Sequence, residues 1–391
     1  MFTVVRKVLS YVICAVAILL IAALFLLHPY YKMPPESRAE LDARYAQYDA
    51  VVRNAPRSKE DFVALKALNA ELSAQLPDNS ALLKQQCPLY DLAELKARLP
   101  ELNKLGPFED RLRAVLAKPL VVRLEATEGG EYVNFAGARR FAYGENALAV
   151  LDEAEGRAEA AANRIALLRQ LEGALERVTD LLGPMMGVAI SDHIDKTTVY
   201  LLPKFTDDEI AQARDQLEKL PDVHQSFVAS MEQKTARDIR ALDLAQEGAL
   251  SPAQKADLKK SGIPPTVLAI ARAVGYLTRE RYMTLSVCGR HIEAIRKWAA
   301  AGGNGPLPEP DLKALRHSPV LMMSVPNYAK LAERIHQSMV QRAAVLTAMK
   351  MELERRKTHD AKAIVIPYDD KNEIVIDKEY GCVQPKAPRP K

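Results

Sequence analysis

No G-x-S-x-G, G-x-x-x-x-G-K-[ST], H-E-x-x-H or G-x-G-x-x-G occurs anywhere in these 391 residues. The commonest signatures of serine hydrolases, nucleotide-binding enzymes and zinc peptidases are therefore missing. Catalysis would have to rest on residues scattered along the chain. Cysteine is sparse, with four residues and no C-x-x-C, so the paired-cysteine pattern of a zinc site is absent. Aromatic residues make up 6% of the chain, with one tryptophan, and glycine is low at 17 residues. Charge of one sign is lacking too. The formal net charge of +4 is too small to argue for nucleic acid. Acidic and basic residues are interspersed along the chain, as on solvated helix faces.

What the chain does have is one long apolar run. Residues 8–27 read VLSYVICAVAILLIAALFLL, with Ser10 the only frankly polar side chain. At about 1.5 Å per residue, a run of about 20 spans the roughly 30 Å hydrocarbon core of a bilayer. The expectation is a single transmembrane helix at 8–27, after a cytoplasmic tail at 1–7 carrying Arg6 and Lys7. Residues 28–35 form a juxtamembrane linker in which Tyr30 and Tyr31 suit the headgroup region. A cleaved signal peptide needs a shorter apolar core followed by a small-x-small site. Ala15-Val16-Ala17 lies mid-run, and no such site follows Leu27. Cys14 does not make a lipoprotein site, because Ile13 before it is not small. The reading is an uncleaved signal anchor in a bacterial inner membrane, N-terminus inside, with the C-terminal domain periplasmic. Cys87, Cys288 and Cys382 then face an oxidising compartment, where one disulfide and one leftover thiol are possible. The sequence does not choose among the pairings.

Residues 36–378 read as a helical ectodomain. Alanine, leucine, glutamate, lysine and arginine dominate, which favours helix. Leu41, Tyr45, Tyr48 and Val52 step by three or four over 36–53. Ser58-x-x-Asp61 opens 59–76. Prolines 77, 88, 100, 107 and 119 then cut the chain into short helices, and 119–124 (PLVVRL) is the best early strand candidate. The clearest periodicity runs through 147–182: Ala147, Leu151, Ala154, Ala158, Ala161, Ile165, Leu168, Leu171, Leu175, Val178 and Leu182. That stripe predicts two alanine-seamed helices with a tight turn near Gly156. The hairpin is similar to a tetratricopeptide unit, but no 34-residue period repeats it. Thr206-x-x-Glu209 is a capping box opening 207–220, and helices are expected at 222–246, from Pro265 to about 301, and at 326–357. Ile364 to Ile366 and Ile374 to Ile376 flank Asp369-Asp370-Lys371-Asn372, which reads as a β-hairpin near 364–376. Residues 379–391 read as a basic, proline-rich tail.

The order of these pieces resembles a group of uncharacterised, helix-rich, membrane-anchored bacterial envelope proteins. Leu116-Ala117-Lys118-Pro119, the glycine-turned hairpin over 136–171, the capped helix at 206–220 and the long C-terminal helix ending at His359 carry the resemblance. The chain departs from the group's His-Gly-x-x-Pro stretch at Asp360 and Ala363, and Pro367-Tyr368-Asp369 only echoes its Asp-Pro-Phe. The resemblance implies a fold and a location but no activity.

Few residues could carry chemistry. Asp192-His193-x-Asp195 is the densest group of ligand types, able in principle to bind a metal or relay a proton, and it is expected at a helix end. Glu333-x-x-His336 has the spacing of di-iron helices but stands alone, and Cys288-x-x-His291 lacks a second pair. Met322, Met323, Met339, Met349 and Met351 fit a helical core better than a binding surface. The function the sequence favours is a membrane-anchored interaction or scaffold protein with a protein partner and no cofactor. An envelope enzyme using Asp192, His193 and Asp195, or a sensor ectodomain, is the alternative.

Overall fold

The computed structural model describes residues 33–54, 59–75, 91–117, 135–177, 181–252, 255–256, 265–303, 305–311, 313–314, 318, 328–359, 362–377 and 381–386. The apolar run at 8–27, the Ser58 cap, the strand candidate at 119–124, Cys87, Met322 and Met323 lie outside them. Among the described residues, no helix is long and apolar enough to cross a membrane. The protein is mainly helical, with a small antiparallel sheet near its C-terminus. The chain divides into two compact units. One comprises Met1–Ala50, Thr235–Ala294 and Pro308–Asn327, and the other Val51–Lys234, Ile295–Leu307 and Tyr328–Lys391.

The first unit contains most of α1 (Arg38–Asn54). Ser37 and Glu40 cap that helix reciprocally: Glu40 N–H donates to Ser37 Oγ at 3.2 Å, and Ser37 N–H donates to Glu40 Oε2 at 2.8 Å. Leu41, Ile239, Leu242, Leu277 and Leu285 form its core. The single helix expected from Pro265 to about 301 is two, Pro265–Ala273 and Tyr276–Ala300. Gly275 breaks it by taking φ +70°, a conformation that costs glycine nothing.

The second unit holds the larger core. Its helices are α2 (Lys59–Gln75), α3 (Leu92–Ala97), α4 (Leu99–Leu102), α5 (Gly106–Leu116), α6 (Ala136–Ala154), α7 (Ala158–Glu176), α8 (Leu182–Leu201) and α9 (Asp207–Glu218). The helix Val223–Glu247 is α10, the two helices of the broken segment are α11 and α12, and Tyr328–Thr358 is α13. The predicted hairpin is present: α6 and α7 turn at Gly156, which has φ +78°. Ala147, Leu151, Ala161, Ile165, Leu168, Leu171 and Leu175 are all buried along the predicted seam. The Thr206 capping box on α9 is complete in both directions.

Strand β1 (Ile364–Pro367) pairs antiparallel with β2 (Asn372–Ile376) in the register Ile364↔Ile376 and Ile366↔Ile374, as the hairpin reading required. A third strand, β3 (Gly381–Pro385), pairs with the other edge of β2. Gly381–Pro385, within the span read as tail, therefore forms a strand. An open β2 edge carries unpaired N–H and C=O groups that a further strand satisfies. Gly381 makes the close approach possible, because a Cβ there would lie 2.4 Å from the Val199 carbonyl oxygen on α8.

Candidate functional site

Asp192, His193 and Asp195 lie within α8 and not at its end. The helix runs on to Leu201 because Ile190, Ile194, Thr198 and Leu201 continue a fully buried stripe at spacings of three and four. That placement separates the three side chains. Asp192 is partly exposed, takes a 2.7 Å ion pair from Lys196 and accepts a 3.2 Å hydrogen bond from the buried Tyr368 hydroxyl. His193 turns toward α6, where Tyr143 meets its ring edge-on at 4.3 Å. Burial pushes its imidazole down to about 4, against the pull of Asp192, so it is neutral at neutral pH. Asp195 is fully buried and bound to Arg169. Among the described residues, no group of three His, Cys, Asp or Glu could hold a metal ion.

Asp195 belongs to a buried charge network that the sequence reading did not single out. On α7, Arg169, Glu172 and Glu176 fall at i, i+3 and i+7, on one face. Arg342 reaches them from α13. Arg169 donates to Glu172 at 2.8 Å and to Asp195. Arg342 donates to Glu172 at 2.6 Å, to Glu176, and through Nε to Ser191 Oγ at 3.4 Å. These residues lie between 0% and 7% exposed. Three carboxyl groups thus face two guanidinium groups in a nearly water-free interior.

That imbalance sorts the acids. Burial opposes ionisation at Glu172, but Arg342 and Arg169 together outweigh it and hold the group below its ordinary range. At Glu176 burial wins over Arg342, and the carboxyl is pushed up to about 7. At Asp195 burial wins over Arg169, and the carboxyl rises to about 6. One oxygen of each, Glu176 Oε2 and Asp195 Oδ2, has no hydrogen-bond partner among the described residues. The network therefore retains a proton that an exposed trio of acids would release. A second tie lies between α5, α6 and α7, where Arg164 bonds Glu109 and Glu145 at 2.6 Å and Asp152 at 2.7 Å. Burial, against the pull of Arg164, raises Glu145 to about 7.

Residues of α8, α13 and the β1–β2 turn line an open cleft of about 430 Å³. Asp192, Lys196, Arg334, Ser338, Gln341 and Asp369 supply its polar lining, over apolar groups such as Val188 and Ile335. Asp369 is committed to the turn: it accepts from the Lys371 and Asn372 N–H groups at 2.7 and 2.8 Å. Burial would raise its pKa, yet the Asn372 side chain and these two N–H groups hold it below the usual range. Among the described residues, Arg334 has no acidic partner and the buried Ser338 hydroxyl has no hydrogen bond.

The remaining sequence candidates do not converge. Glu333 is exposed, whereas His336 stacks parallel to His224 at 5.8 Å and meets Trp298 edge-on at 5.1 Å. Cys288 and His291 are both buried on α12, and Cys288 and Cys382 are buried thiols. Met349 is fully buried as core, while Met351 is 43% exposed. No protein-family model, curated protein or solved structure matches the chain.

Proposed function

We propose that this chain is a membrane-anchored helical scaffold of the bacterial cell envelope, held in the inner membrane by residues 8–27 and presenting its helical units to a protein partner on the periplasmic side. The observation that carries the reading is the use made of its buried ionisable groups. Arg169, Glu172, Glu176, Asp195 and Arg342 tie α7, α8 and α13 together, and His193 is neutral against Tyr143. Side chains engaged in this way fix helix positions and leave no converging acid, base and nucleophile in the best sequence cluster. The apolar run supplies the tether.

Membrane fractionation tests the tether. The protein is expected to stay with the membrane pellet in high salt and in alkaline carbonate, and to leave it in detergent. Release by salt alone would overturn the anchor. Crosslinking in intact cells, followed by detergent purification, is expected to recover one stoichiometric envelope partner. A ligand-responsive ectodomain is the second reading, favoured by the α8–α13 cleft, where Arg334 has no acidic partner and Ser338 no hydrogen bond among the described residues.

A further inference from the structure

Helix α11 is apolar on the side that faces water. Val267 and Ile270 on the helix, and Val274 in the turn just after it, follow one another at spacings of three and four and are 51%, 62% and 49% exposed. Thr266, Ala269 and Ala273 are exposed beside them, so no charged residue interrupts this face. The opposite side is engaged: Leu268 and Ala271 pack on the core that contains Leu41, Leu277 and Tyr282. A contiguous apolar stripe of this kind marks a surface that something else covers.

Two observations say what covers it. Leu41 sits in the first turn of α1, and residues 28–37 alone separate α1 from the end of the apolar run at Leu27. Ten residues reach at most about 35 Å when fully extended, so this unit is held close to the bilayer if the run crosses it. The sequence just before α11 is basic: Lys255, Lys259 and Lys260 stand against the single acid Asp257 over 255–260. An apolar helix face preceded in sequence by lysines suits a helix that lies in the headgroup region of an anionic membrane. At nine residues, α11 is too short to span the bilayer and long enough to lie in its surface.

We propose that α11 inserts its Val267 and Ile270 face, together with Val274 just beyond its end, into the outer surface of the membrane that residues 8–27 cross, giving this unit a second, in-plane attachment. The inference rests on the anchor reading above. It is tested with the full chain reconstituted into vesicles of phosphatidylcholine and phosphatidylglycerol. Tryptophan is introduced as Ile270→Trp and, separately, as Val267→Trp, both at exposed positions. The parent protein, with Trp298 alone, gives the background. With lipids brominated near the top of their acyl chains, the added emission is expected to fall by about half or more, the depth of an interfacial helix being about 5–10 Å. Vesicles of unbrominated lipid should leave it unchanged. If the protein floats with the vesicles but neither introduced tryptophan is quenched, the α11 inference fails and the anchor stands. If the protein does not float at all, the anchor fails and the inference with it. Unquenched tryptophans together with crosslinks from this face to a second copy or another protein would overturn the lipid assignment in favour of a protein contact.

Discussion

Replacing Glu176 by glutamine isolates the proton that the buried network retains. Burial moves this carboxyl from its ordinary 4.5 to about 7, a displacement of about 2.5 pH units. At about 1.4 kcal/mol per unit, that corresponds to about 3 kcal/mol of pH-dependent stability. The sign follows from proton counts. Between pH 4.5 and 7 the folded chain holds a proton here that the unfolded chain has released, so each step up in pH favours unfolding. The contribution is fully present below about pH 4.5 and is lost as pH rises through 7. Glu172, held below its ordinary range, acts only at lower pH. His193, pushed down to about 4, has the opposite sense, stabilising the fold less as pH falls below 6.5, but it is present in both proteins and cancels in their difference. The assay is urea unfolding of the full chain in detergent, followed by the fluorescence of Trp298, the sole tryptophan, which belongs to the same unit as the network. Glu176→Gln carries a constant penalty of about 1–3 kcal/mol for an amide at the site of the unpartnered Oε2. Against that constant, the stability of the parent relative to the variant is expected to drop by about 3 kcal/mol from pH 4.5 to 7.5. A difference that stays constant across this range would show that Glu176 is ionised throughout and would refute the argument from burial.

Other substitutions test the ties separately. Arg342→Met leaves Glu172 and Glu176 without their shared cation, and removing one partner of a buried pair costs about 3–5 kcal/mol; the same urea titration should show it most strongly above pH 7, where both acids ionise. Gly187→Ala places a Cβ 2.6 Å from Cγ of the immobilised Glu176, so α7 and α8 must separate, at an overpacking cost of about 1–3 kcal/mol in thermal unfolding. Gly156→Ala has nothing within 4 Å but keeps a φ of +78°, so it should lose only the left-handed strain of about 1–2 kcal/mol. Thr206→Ala removes the capping box of α9 and should cost about 1 kcal/mol, with Thr206→Ser retaining most of the stability.

Periodicity made the helices readable because it reports which face is buried, and the α6–α7 seam is the clearest instance. Capping was equally readable at Thr206, where the signal is local. The break at Gly275 was not, since a glycine inside an apolar pattern is compatible with a helix until tertiary packing asks for a turn. Strand β3 was hidden by the prolines and lysines that follow it in the sequence; its place depends on an open β2 edge and on the bare Cα of Gly381 against α8, neither of which lies in the local sequence. The candidate site failed to assemble for a related reason. Asp192, His193 and Asp195 are neighbours in sequence, but about 100° of rotation per residue sends adjacent helical positions to different surroundings. The groups that do converge are spread from 169 to 342, and nothing in their local sequence separates them from the solvated charges that arginine and glutamate usually are. Their trace is the register: Arg169, Glu172 and Glu176 sit one position after Leu168, Leu171 and Leu175, and Arg342 stands on the buried stripe of Ala332, Ile335, Val345 and Met349. Charges that keep step with an apolar stripe on two different helices are placed to meet. Their complementary signs, with one acid in excess, account for both the tie between α7, α8 and α13 and the proton it holds.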